Sequence, residues 1–210
     1  MSSIEKAPTL AQLLANPATT YAQVAQHLEA LSLQDRTKQA IALGRKAQRR
    51  LFQLSAEAPA VTIEDFVPAG TPPLTQVVHE GRNTLPLFTR FQKVFCAPAD
   101  GSKRLFGYNE GFTRHLIGPG YFVGHYTNEP PSEAGWTERG AIVVNYFLVP
   151  DAEVAPGWPK VVPNTRGLQT FVFNGTRDYM RKVCEGVTIG EAFKGEKSID
   201  NYFILVRQTN

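Results

Sequence analysis

Apolar residues recur along this chain with two different periods, and the change falls near residue 57. Before it the period is helical. After Thr19-Thr20, Tyr21, Val24, Ala25, Leu28 and Leu31 form one stripe at the i, i+3, i+4, i+7 spacing of an amphipathic helix. A shorter helix is predicted over Thr9–Ala15, stopped by Asn16-Pro17. Ser32, with Asp35 three residues on, marks the N-cap of a third, predicted from Leu33 to about Ser55. Its apolar stripe is Ala40, Ile41, Gly44, Ala47, Leu51 and Phe52, and its other face carries Lys38, Arg45, Lys46, Arg49 and Arg50.

After residue 57 short runs of β-branched and aromatic residues alternate with turn formers, the signature of antiparallel strands. Gln76–His79 is a short strand candidate. Leu87–Ala97 and Arg104–Tyr108 flank Pro98-Ala99-Asp100-Gly101-Ser102 and predict a hairpin. Tyr121–Thr127 and Ala141–Val149 predict a second. Phe171–Phe173 is a further short strand. Thr188–Phe193 and Tyr202–Arg207 close a third hairpin around Gly195-Glu196-Lys197. Between them Thr176–Glu185 is predicted as a helix, because Tyr179, Met180, Val183 and Cys184 share a helical face and Gly186 can end it.

The fold class that follows is α+β. An N-terminal helical segment of about three helices (residues 1–56) precedes a β-rich unit (57–210), an antiparallel β-barrel or strongly curved sheet with one inserted helix. The two parts are expected to form one compact unit. Composition sharpens the boundary: residues 1–56 hold one of the 17 glycines and two of the 15 prolines.

Charge and motifs remove several function classes. A net charge of +3 over 210 residues is too small to argue for nucleic acid, and the basic helix face lacks the interleaved aromatics of single-strand binders. Nucleic acid is therefore not expected as a partner. No apolar run nears the ~20 residues of a membrane helix, and the N-terminus lacks a basic segment followed by an apolar one, so no membrane span and a cytoplasmic location are expected. Cys96 and Cys184 form no CxxC pair and read as small buried hydrophobes. His79, His115 and His125, with Glu80, match none of the metal-ligand spacings, and Gly118-Pro119-Gly120 is not a dinucleotide fingerprint. No cofactor and no metal is predicted.

The densest candidate chemistry lies in Phe106–Tyr126, which holds six aromatics, five glycines and two of the four histidines. Such a stretch can line a pocket: aromatics give apolar walls, and a few polar groups fix orientation. The leading reading is a barrel binding a small apolar or amphipathic molecule. Its walls would come from Phe106, Tyr108, Tyr121, Tyr126, Tyr146 and Phe147. Asn109, Arg114, His125 and Asn145 would fix its polar groups, Asn145 because it interrupts the otherwise apolar strand AIVVNYFLV. The predicted ligand-binding set is Tyr108, Asn109, Glu110, Arg114, Tyr121, His125 and Asn145. An alternative is a cofactor-free acid–base enzyme (isomerase, cyclase or hydrolase), with Glu110 or His125 as base and Tyr108 or Arg114 stabilising developing negative charge. A third reading is an interaction or assembly protein, a homo-oligomer through the N-terminal helices. No known family matches closely enough to assign a site.

Overall fold

The structure, a computed structural model, describes residues 7–112 and 114–209. Four helices come first: α1 (Leu10–Ala15), α2 (Tyr21–Glu29), α3 (Leu33–Ala40) and α4 (Arg45–Leu54). Eight strands follow: β1 (Val77–Asn83), β2 (Arg90–Cys96), β3 (Leu105–Glu110), β4 (Phe122–Tyr126), β5 (Ile142–Asn145), β6 (Thr176–Cys184), β7 (Val187–Lys194) and β8 (Lys197–Arg207). Each pairs antiparallel with the next, and β8 returns to β1 from His79↔Arg207 to Asn83↔Phe203, closing an up-and-down barrel. Closure satisfies both edges of the sheet. Three single-turn helices sit in the connections: α5 (Arg114–Ile117), α6 (Trp136–Arg139) and α7 (Gln169–Val172).

The helices start where the caps predict. The Thr9, Thr20 and Ser32 side chains accept from the backbone N–H of Gln12, Gln23 and Asp35. The long third helix breaks in two, however. Gly44, a poor helix former, becomes the N-cap of α4. The turn before it buries Leu43, whose carbonyl accepts from Gln48 Nε2 at 3.0 Å. The apolar stripes are consumed inside the chain: Leu10, Val24, Leu28 and Leu51 join Val183, Ile189, Ile204 and Val206 on the outside of β6–β8 in one buried cluster. Three of the five basic residues are also tied down. Arg45 and Arg49 hold the Asp200 carboxylate, and Arg50 donates to the Pro17 carbonyl at 3.1 Å.

The expected helix over Thr176–Glu185 is instead strand β6. Asp178 and Met180 point into the barrel while Arg177, Tyr179 and Arg181 point out, a period of two that tertiary pairing with β5 and β7 imposes. Gly186, at φ +70°, serves the tight β6–β7 turn rather than a helix end. Phe171–Phe173, expected as a strand, belongs to the helical turn α7 and the residue after it.

The barrel interior differs between its two ends. At the end formed by the β1 start, residues 61–67 fold under the strands as a plug. Val61, Phe66 and Val67 pack with Phe95, Leu105, Phe122 and Ile142, and Phe66 accepts at 2.9 Å from His79 Nε2. Two inward-facing rings, one in each half, lie across glycines. A Cβ on Gly107 would stand 2.4 Å from the Phe122 ring, and one on Gly190 would stand 2.4 Å from the Phe203 ring. The half opposite the plug is open.

Candidate functional site

At the open end the strands surround a cavity of about 430 Å³, within the size range of small-molecule sites. Its wall is mostly apolar, with Phe91, Phe173, Ala192 and Phe203 prominent. Its mouth is edged by the β1–β2 loop, by α7 and by Ile199, and large apolar side chains stand exposed there. Phe88 is 56% exposed, Phe112 88% and Phe171 81%, and the Phe88 and Phe112 rings stack at 6.3 Å. These exposed aromatics set the cavity mouth apart from the mostly polar surface expected of a folded chain.

A group of buried polar side chains lies on the cavity wall. Lys93, on β2 between Phe91 and Phe95, points inward by strand alternation and is 2% exposed. Its Nζ lies 3.2 Å from Asp178 Oδ2 on β6, donates to Asn109 Oδ1 on β3 at 3.1 Å, and contacts the Tyr146 hydroxyl. Asn109 Nδ2 also reaches the Tyr146 hydroxyl at 3.2 Å. The rings of Phe122, Tyr146, Phe203 and Phe91 stand 4.8, 4.9, 5.0 and 5.8 Å from Nζ, so aromatic faces surround the amine. Burial pulls the Lys93 ammonium below its ordinary value, against the pull of Asp178. Burial pushes the Asp178 carboxyl up, against the pull of Lys93. The two shifts converge, which eases transfer of a proton from one to the other. Burial also raises the Tyr146 phenol well above its usual range.

The seven residues singled out from sequence divide into three places. Asn109 lies inside, in the Lys93 group. Tyr108, Glu110, Arg114 and Tyr121 do come together, on the outer side of β3 and β4, with Glu110 at the end of β3 also bordering the cavity. Tyr108 donates to Glu110 Oε2 at 3.2 Å, Arg114 Nε donates to Glu110 Oε1 at 2.7 Å, and the Tyr108 and Tyr121 rings lie 5.6 Å apart beneath Trp158. Burial, reinforced by Glu110, pushes the Tyr108 phenol up to about 12. Burial also raises Glu110, but the Gly111 N–H and Arg114 outweigh it and hold the carboxyl low. This is a satisfied ion-pair network packed against a loop.

His125 and Asn145 are together at a third place, also outside the barrel. Asn145 Nδ2 donates to His125 Nε2 at 3.4 Å, and His125 Nδ1 donates to the Tyr126 carbonyl at 3.0 Å. Burial lowers the His125 pKa and keeps the ring neutral. Glu110 and His125 sit at opposite ends of the β3–β4 ladder, about 20 Å apart by strand rise, so they do not share a cleft. Of the six expected wall aromatics, Tyr146 lines the cavity. Phe106, Tyr108 and Tyr121 face outward, Tyr126 packs with the plugged core, and Phe147 is half exposed under the Arg177 guanidinium.

Lys93 and Asp178 were not among the expected residues. The signal for Lys93 was a lone cation on the inward face of an alternating strand, Phe91-Lys93-Phe95. Asp178 was masked by the helical reading of its segment. Among the described residues no group of three or more His, Cys, Asp or Glu is placed to hold a metal ion, and no helix is long and apolar enough to cross a membrane. No protein-family model matches the chain, and neither a curated protein nor a solved structure matches it significantly.

Proposed function

We propose that the barrel binds a small, mostly apolar molecule that carries one polar group. The ligand would enter between the β1–β2 loop and α7. It would lay its apolar body along Phe91, Phe173 and Phe203 and present its polar end to Lys93, Tyr146 and Asn109. The observation that carries this reading is the 430 Å³ cavity, walled mostly by apolar side chains, with a buried polar cluster of Lys93, Asn109, Tyr146 and Asp178 spanning the lumen. That anatomy matches ligand sites generally, where area gives affinity and a few convergent polar groups give orientation.

Native mass spectrometry of protein purified from its own host tests the reading. A released small molecule at one equivalent, lost when Ala192 is enlarged to Phe to fill the cavity, is the expected result. A co-purifying molecule retained unchanged by Ala192→Phe would place binding elsewhere and contradict it.

A further inference from the structure

A primary amine on the wall of an apolar cavity has chemistry beyond that of a charge. Lys93 lines the cavity, and its Nζ faces the Asp178 carboxylate at 3.2 Å and touches the hydroxyl of Tyr146. The nearby rings and the carboxylate form a site built for one positive charge at Nζ. An ammonium satisfies that requirement, and so does a protonated imine, which carries the same charge on the same atom.

We propose that Lys93 is a Schiff-base lysine, condensing with the carbonyl group of an aldehyde or ketone ligand held in the barrel. This rests on the ligand-binding reading above and names the ligand's polar group. Asp178 takes one proton from the ammonium and frees the nitrogen lone pair. The nitrogen then attacks the carbonyl carbon, forming a C–N bond and breaking the C=O π bond. The carbonyl oxygen is protonated from the Tyr146–Asp178 side, giving a carbinolamine. A further proton transfer expels that oxygen as water as the C=N bond forms. Ammonium and carbonyl compound give iminium and water, so charge and atoms balance without an oxidant or reductant. Asn109, bonded to both Lys93 and Tyr146, positions the amine and the hydroxyl on the same side of the ligand. The arrangement suits reversible capture of a carbonyl compound, or activation of the carbon next to the C=N bond for proton removal.

Octanal with cyanoborohydride at neutral pH tests this on the intact protein, followed by peptide mapping. Exposed lysines, with pKa about 10.4, stay mostly charged and react slowly under these conditions. The α-amino group, with a pKa of about 7.7–8.0, also reacts and is set aside; among lysines the expected result is a single reduced octyl adduct, mapped to Lys93 and suppressed by excess octanol, an alcohol of the same length that has no carbonyl. In parallel, octanol displaces the apolar fluorophore N-phenylnaphthylamine from the barrel. If octanol displaces the fluorophore while labelling spreads over exposed lysines and spares Lys93, the imine proposal is overturned and the binding reading stands. If octanol displaces nothing and Lys93 is unlabelled, both fall.

Discussion

Lys93 and Asp178 reach across the barrel from β2 and β6 and meet at 3.2 Å, each almost wholly withdrawn from water. Neither strand adjoins the other, so the pair is a contact across the lumen, and both residues line the cavity. Taking two charges out of water costs several kcal/mol per ion, and their attraction repays this only with further hydrogen bonds. Tyr146 and Asn109 supply those bonds.

Removing one partner is therefore expected to harm the fold more than removing both. Lys93→Met leaves a buried carboxylate without its cation and should cost about 3–5 kcal/mol in urea unfolding. The double variant Lys93→Met with Asp178→Leu, which replaces both charges with apolar volume, should recover most of that loss. A double variant as unstable as the single one would show that the loss comes from removing the pair itself and not from a carboxylate left unpaired.

His79 makes acid stability a second readout. It is buried among Phe66 and Phe95, and burial lowers its pKa from 6.5 to about 4, despite the opposing hydrogen bond to Phe66. A ring neutral in the fold and charged in the unfolded chain means that the unfolded state binds the extra proton between these two values. Stability is fully present above pH 6.5 and is lost as pH falls towards 4, by up to about 3 kcal/mol. His125, lowered by the same cause, adds in the same direction. Unfolding free energies measured across this window should fall with acid in the native protein and fall less steeply in His79→Gln. Equal slopes in the two would remove His79 from the account.

Arg181 joins the helical segment to the barrel. Its guanidinium donates to the Phe52 carbonyl at 2.9 Å, to Glu138 at 2.9 Å and to Arg139 at 3.1 Å, and it lies 4.1 Å from the Phe52 ring centre. Arg181→Ala strips three carbonyls of a charged donor and should cost about 2–3 kcal/mol. Arg181→Lys should recover less than half of that, because a point charge cannot serve three separated acceptors as a planar fork does. Full recovery with Lys would show that charge alone is what matters at this position.

Much of the architecture was legible in the chain. The helix caps at Thr20 and Ser32 and the stripe from Tyr21 to Leu28 rest on local rules that tertiary structure did not override. The three hairpins were legible because turn formers punctuate alternating runs. The segment around Asp178 was not, because TRDYMRKVC satisfies both periods: Tyr179, Met180 and Val183 make a plausible helical face, while Asp178 and Met180 share a strand face. Pairing with β5 and β7 decides between them, and no local signal reports that. The same ambiguity hid the site. Tyr108 and His125 drew attention as chemistry-bearing residues, but alternation alone does not say which face of a strand is the lumen. Once Phe122 and Phe95 are known to face in, Asn109 and Lys93 follow, and Tyr108 and His125 are placed outside.

The central claim is that the open half of the barrel is a binding cavity, and Ala192 offers the most direct access to it. Ala192 is buried, lines the cavity and pairs with Asp178 across β6 and β7. Ala192→Phe extends a ring into existing space, so the fold should persist with unchanged or slightly higher thermal stability. The measurement is N-phenylnaphthylamine fluorescence titrated into the native protein and into Ala192→Phe. Saturable binding at one site in the native protein, weakened at least tenfold in the filled variant, is the predicted result. Equal binding by both proteins would contradict the account.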